Sequence, residues 1–164
     1  MPQNRLTEGD RTLIAGWVAG GGRLIILFYE LQRDGEAMRL GLDVVPATRS
    51  PTSRAVVRDP TSPVDFFTGM PSSGLLPCTD TFSEKGNPLT VDPSLGFLAG
   101  RLDTATGPGG IAVTHGGRVI VCGFIEPEYS ASFSLIRPAD GDADGIPDAQ
   151  ELFTNMLRYI RPPR

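Results

Sequence analysis

Five carboxylates stand within twelve residues near the C-terminal end, in the stretch Asp140-Gly-Asp-Ala-Asp-Gly-Ile-Pro-Asp-Ala-Gln-Glu151. Their order is D-x-D-x-D-G-x5-E, the spacing of a twelve-residue calcium loop. Calcium is a hard cation that takes oxygen ligands, and a short loop supplies them by alternating ligand and spacer. Asp140, Asp142 and Asp144 fill positions one, three and five. Gly145 at six permits the sharp turn, and the Ile146 carbonyl follows at seven. Asp148 stands at nine, and Glu151 at twelve closes the site with both oxygens. The competing reading is a solvated acidic turn, as most Asp-Gly runs are. Against it, every position of the pattern is filled, and five close carboxylates repel unless a cation joins them.

The flanks place this loop. Pro138 precedes it, and Phe133-Ser-Leu-Ile136 reads as extended, so no incoming helix is expected. A helix follows from Ala149 to about Tyr159, with Leu152, Phe153, Met156, Leu157 and Ile160 on one stripe. Pro147 has no N–H to give at loop position eight, where paired loops join through main-chain bonds. The site is therefore expected to be solitary. Its D-G-I-P-D wording resembles type 3 thrombospondin repeats and the single EF-hand-like calcium loops of bacterial extracellular proteins.

Other residues could carry chemistry. Cys122, His115 and Glu126 supply one each of nucleophile, base and orienter. Against them, Cys122 falls inside an apolar strand, where the thiol serves as a small buried hydrophobe. His115 begins a turn and is expected to be exposed. Gly107-Pro-Gly-Gly110 lacks the Lys-Ser/Thr ending of a phosphate loop and reads as a turn. Phe28, Tyr29 and Glu30 follow an apolar strand at its carboxyl end, where open α/β sheets bind ligands.

The elements that position these groups can be taken in chain order. Thr7 and Asp10 form a capping box at the start of a helix whose expected buried stripe is Leu13, Ile14, Trp17 and Val18. Gly20-Gly-Gly22 ends it. Leu24 to Tyr29 is apolar without alternation, as in a strand covered on both faces in a parallel sheet. Leu31 to Leu40 reads as a short helix stopped by Gly41. From Val44 to Gly110 frequent prolines leave only Arg54–Arg58 as a short strand, with the remainder irregular over a sheet edge. Ile111–Thr114 and Arg118–Phe124 bracket His115-Gly-Gly117 as a β-hairpin.

Composition narrows the classes. The chain has 164 residues and a formal charge of −4. Removing the five loop carboxylates leaves +1, so the acidity reports the loop and implies no charged partner. No basic cluster interleaves with aromatics, so nucleic acid is not an expected partner. No apolar run reaches a membrane span. Residues 1–5 lack the apolar core of a signal peptide, so the protein stays inside or this chain is part of a longer precursor. The two cysteines, Cys78 and Cys122, are expected not to be bridged, since one lies in a proline-rich loop and the other in a buried strand.

The order of the pieces resembles the class I glutamine amidotransferase-like superfamily, in particular its non-catalytic bacterial branch. The blocks that carry this are Leu6-Thr7 to Gly22, Arg23-Leu-Ile-Ile-Leu27, Gly116-Gly-Arg-Val-Ile-Val-Cys-Gly123 and Glu151-Leu-Phe-Thr-Asn-Met-Leu-Arg-Tyr-Ile160. The resemblance implies a flavodoxin-like sheet with helices on both faces. Members of the family begin with further α/β units, and active ones carry a nucleophile at a strand-to-helix elbow; Phe28-Tyr-Glu30-Leu offers neither Cys nor Ser. The expected fold is thus α/β over residues 1–164: a partial flavodoxin-like sheet flanked by helices, a long irregular proline-rich middle, and a calcium loop at 140–151 before the C-terminal helix. It is complete or a fragment, in which case a further domain or chain completes the sheet. The expected function is a calcium-binding, non-catalytic module with a structural or partner-binding role in a larger extracytoplasmic or secreted bacterial protein. The alternative is a divergent hydrolase or amidotransferase-like enzyme whose site is not recognised.

Overall fold

Thr7 opens the first helix as expected. Its hydroxyl accepts the Asp10 N–H at 3.2 Å while the Asp10 carboxylate accepts the Thr7 N–H at 2.8 Å, a reciprocal cap that satisfies two orphan donors. In the computed structural model, which describes residues 6–27, 35–47, 55–71, 87–123 and 140–161, this cap starts α1 (Glu8–Ala19). Gly20 caps its end, and Gly21 takes a φ of 89° that lets the chain turn back. Next come β1 (Leu24–Leu27), α2 (Glu36–Arg39), β2 (Val45–Pro46) and β3 (Val56–Arg58). After these the chain forms β4 (Leu89–Thr90), β5 (Gly96–Leu102), β6 (Gly109–Thr114), a 3₁₀ turn at His115–Gly117, β7 (Val119–Cys122) and α3 (Asp148–Ile160).

The fold is mixed α/β, and the described residues form one seven-stranded sheet in the order β1-β7-β6-β4-β2; β5 adds to β6 and β3 to β5. Among the described residues β1 and β7 form the one parallel pair, from Leu24 opposite Val119 to Leu27 opposite Cys122. The other pairings are antiparallel. Side chains alternate across a strand, so β1 serves two cores. Ile25 and Leu27 meet the cluster of Ile120, Cys122, Leu152 and Met156. Leu24 and Ile26 meet Val18, Val119 and Val121 on the other side. Helix α3 thus covers one face and α1 the other, which is why this strand reads as continuously apolar.

Several expectations are corrected. Leu13 and Trp17 are 73% and 60% exposed rather than core. The Trp17 ring lies over Gly22, and its Nε1 donates to the Arg23 carbonyl at 3.2 Å, so it covers its own turn and reaches no sheet. Leu157, on the expected stripe of α3, is 47% exposed, at the edge of a face buried through Leu152, Met156 and Ile160. The proline-rich middle contains the longest strand, β5, which pairs with both β3 and β6. Its sequence, Gly-Phe-Leu-Ala-Gly-Arg-Leu, has glycine where neighbours come close: a Cβ on Gly96 would overlap the Val113 carbonyl, and one on Gly100 would press on Ile111 and Val56.

Charged contacts tie the helices and strands. Arg11 of α1 donates through Nε to both Glu36 oxygens, at 3.0 and 2.8 Å, and Glu36 is buried. Asp59, 1% exposed after β3, accepts from Arg101 of β5 at 2.6 Å and from the Thr61 N–H and hydroxyl at 2.8 and 2.6 Å. Arg101 then donates to the Gly107 carbonyl and holds the turn before β6. No described helix is long and apolar enough to cross a membrane.

Candidate metal site

The acidic loop begins at Asp140 and ends inside the first turn of α3, which starts at Asp148 with Pro147 as its N-cap. Backbone N–H groups shape it locally. Gly145 donates to Asp140 Oδ2 at 3.0 Å, Asp144 to Asp142 Oδ1 at 3.2 Å, Ile146 to Asp144 Oδ1 at 2.7 Å and Gly141 to Asp148 Oδ1 at 3.1 Å. Such Asx bonds are what short polar side chains make in turns. Gly145 has φ 93°, the sharp turn anticipated at position six, and Ala143 takes a left-handed φ of 61° beside it. The loop is therefore curled by main-chain N–H groups that donate to its own carboxylates.

Those carboxylates converge. One oxygen each from Asp140, Asp142 and Asp144 lie within 4.8 Å of one another, and so do oxygens from Asp142, Asp148 and Glu151. Asp142 belongs to both groups and links them. Asp148 is buried, Glu151 half-buried, and Asp142 and Asp144 exposed. Among the described residues, two oxygens, Asp140 Oδ1 and Glu151 Oε2, are buried and meet no hydrogen-bond partner. Burial first, and then the negative charges of Asp144, Asp142, Asp148 and Asp140, push the Glu151 carboxyl above its ordinary range. A cation at the centre would reverse both penalties, since orphaned buried oxygens are costly and close carboxylates repel. Ile146 presents its N–H to Asp144, and its side chain is exposed.

A second wall comes from the middle of the chain. The turn at 64–71 lies against the loop, with Gly69 (φ 92°) making room for Glu151 Oε1 and Pro71 seated where a Cβ on Gly141 would be. Asn155 of α3 donates through Nδ2 to the Phe66 and Thr68 carbonyls at 3.0 and 2.8 Å. Phe66 meets Tyr159 edge-to-face, with ring centroids 5.4 Å apart. These contacts were not anticipated from the sequence. The one local signal was Phe66-Phe67-Thr-Gly-Met-Pro71, aromatic residues before a Gly and a Pro in a stretch otherwise poor in apolar runs.

The other candidates separate. His115 follows Thr114, which pairs with Val119, whereas Cys122 pairs with Ile111, so the two stand at opposite ends of the hairpin. At about 3.3 Å per residue that is roughly 10 Å of strand, beyond the hydrogen-bond reach that a nucleophile and its base require. Glu126 lies outside the described residues, as do Cys78, the Phe28–Glu30 stretch and Phe133–Ile136. Cys122 is fully buried, and its thiol points to the Met156 sulfur at 3.8 Å. His115 is not an exposed turn residue: its side chain is only 16% exposed, with its ring against Thr114 and Asp43. Gly109 and Gly110 belong to β6 rather than to a free turn, with Gly109 close under Leu89 and Leu98. No protein-family model matches this chain, and neither a curated protein nor a solved structure matches it.

Proposed function

We propose that this chain is a calcium-binding α/β module, in which Asp140, Asp142, Asp144, the Ile146 carbonyl, Asp148 and Glu151 hold one Ca²⁺. The observation that carries the reading is a pair of buried oxygens, Asp140 Oδ1 and Glu151 Oε2, that meet no partner among the described residues and belong to two carboxylate groups sharing Asp142. A solvated acidic turn would leave such oxygens in water. The D-x-D-x-D-G-x5-E spacing selects an oxygen-loving cation of calcium's size, which tolerates mixed carboxylate and carbonyl ligands.

The role is structural. Glu151 is both closing ligand and first-turn residue, so the ion fixes where α3 starts and holds its Leu152–Met156–Ile160 face on the sheet. Because Gly69 and Pro71 wall the loop, the ion also fastens the middle of the chain. With no paired loop among the described residues, the affinity is that of an extracellular module, about 10⁻⁴ to 10⁻³ M. Such a site fills where free calcium is millimolar, which supports an extracytoplasmic or secreted setting within a larger bacterial protein. The flavodoxin-like reading, and with it the amidotransferase-like superfamily, rests on the parallel β1–β7 pair with α1 and α3 on opposite faces; the antiparallel remainder of the sheet is not of that kind. A further domain or chain would complete the sheet beyond β1, which pairs only with β7 among the described residues.

The test is thermal unfolding with millimolar calcium and with chelator. At free calcium ten times the dissociation constant, linkage adds about 1.4 kcal/mol. An unchanged melting temperature between the two buffers would defeat the reading.

A further inference from the structure

A second polar cluster, away from the acidic loop, joins the β6–β7 turn to the stretch after α2. Thr114, fully buried at the end of β6, donates its hydroxyl to the Leu42 carbonyl at 2.9 Å. The same Oγ1 lies 3.0 Å from Nδ1 of His115. On the far side of the ring, Nε2 lies 3.3 Å from Asp43 Oδ2. Both His115 (φ 55°) and Asp43 (φ 56°) hold left-handed backbone, a conformation that side-chain-bearing residues keep only where their surroundings enforce it.

These three contacts need three protons. Threonine supplies one, and a neutral imidazole has only one N–H. In the neutral state, therefore, one contact fails in any tautomer: the Leu42 carbonyl loses its donor, two lone pairs face each other between Thr114 and Nδ1, or a bare Nε2 faces the Asp43 carboxylate. An imidazolium has both N–H groups and satisfies all three at once. We propose that His115 is a proton-operated clamp: its charged ring fastens Asp43 and the Leu42–Pro46 stretch to the turn between β6 and β7, and loss of the proton loosens that stretch.

The surroundings agree with a ring that is held but reachable. The Asp43 side chain is 39% exposed, so water reaches the pair on that side. Arg118 donates through Nε to the His115 carbonyl at 3.0 Å, which fixes the backbone of the turn. Tyr159 of α3 brings its hydroxyl against Gly117. From β5, Gly96 packs on Thr114 without a charge. Among the described residues, Asp43 is the carboxylate placed against the ring. The segment it anchors runs into β2, which holds to the sheet through two residues opposite β4. Histidine is the side chain that ordinarily changes charge between about pH 5 and 8, which sets the range over which the clamp is tested.

The chain has one histidine, so its ring signals are assigned without ambiguity. The experiment records ring ¹⁵N shifts and amide exchange protection factors from pH 5 to 8, on wild type, Asp43→Asn and His115→Asn, with calcium constant. Both replacements use asparagine, which tolerates left-handed backbone. The expected result is two protonated ring nitrogens at the acid end. Protection at Leu42, Val44 and Gly116 should then fall about threefold or more as the ring loses its proton, while Val121 in the sheet is unaffected. In Asp43→Asn the protection change should vanish. Protection that ignores the ring in wild type, or that follows it equally in Asp43→Asn, overturns the proposal. Should Asp43→Asn fail to fold, His115→Asn decides: pH-independent protection at those amides upholds the clamp, and wild-type-like pH dependence overturns it.

Discussion

Oε1 of Glu151 occupies the space into which a side chain on Gly69 would project. The two residues belong to segments far apart in sequence, one in a proline-rich turn and the other at the start of α3. Gly69 also has a φ of 92°, a backbone that favours glycine, and a side chain there would have to displace the Glu151 carboxylate. The acidic loop is consequently not a free-standing hairpin of carboxylates. Its floor is supplied by the middle of the chain.

Gly69→Ala should therefore be costly on two counts. The left-handed backbone alone is worth about 1–3 kcal/mol, and displacement of Glu151 should weaken metal binding as well. Denaturant unfolding and a calcium titration on this variant check both. Wild-type stability with a wild-type calcium response would mean that the turn and the loop are independent.

Asn155 holds the same turn through one amide nitrogen bonded to the Phe66 and Thr68 carbonyls. Asn155→Ala should lose about 1 kcal/mol, because the part-buried bond to the Phe66 carbonyl is lost while water can replace the exposed one to Thr68. Asn155→Asp should be worse at neutral pH, since a carboxylate would face two carbonyls with no N–H to offer. If Asp is tolerated better than Ala in chemical denaturation, these bonds do not hold the turn.

Glu151 and Asp59 should respond to pH in opposite directions. Burial, followed by the neighbouring Asp charges, raises the Glu151 carboxyl in the folded protein. Without metal, ionising Glu151 then works against folding: the apo protein loses stability as pH rises through the folded value. Glu151→Gln should thus stabilise the apo protein at pH 7 more than at pH 5, and should also abolish the gain from calcium. Melting temperatures of both proteins, in chelator and in calcium, provide the comparison. A variant less stable than wild type in chelator at pH 7 would contradict the repulsion argued for the empty loop.

For Asp59 the sign is reversed. Burial by itself would push its carboxyl up, but the Thr61 hydroxyl and N–H and the Arg101 guanidinium outweigh it and hold the group below the usual range. The stability it contributes is present above the unfolded aspartate value of about 3.9 and is lost as pH falls through the lower folded value. Asp59→Asn should flatten the acid limb of a stability–pH profile and be destabilised most at neutral pH, where Arg101 loses its partner. Parallel profiles for variant and wild type would remove Asp59 from the account of acid unfolding.

What the sequence determined by itself is what local chemistry determines. The Thr7–Asp10 cap, the glycines after α1, the 3.6-residue stripe that became α3, the hairpin around His115-Gly-Gly117 and the curl of the Asp140–Glu151 loop all depend on residues a few positions apart. The apolar run Leu24–Leu27 likewise announced a strand with two covered faces. Tertiary structure decided the rest, because the deciding atoms lie elsewhere in the chain. Nothing local distinguishes the glycines of β5 from turn glycines; only the approach of Val113, Ile111 and Val56 does so. The exposure of Trp17 follows from its lying over Gly22 instead of reaching the sheet. His115 reads as a turn residue until Asp43 and Thr114 close on its ring. The carboxylate spacing was legible, but the approach of Glu151 to Gly69 and of Gly141 to Pro71 was not, because a proline-rich sequence does not advertise that turn.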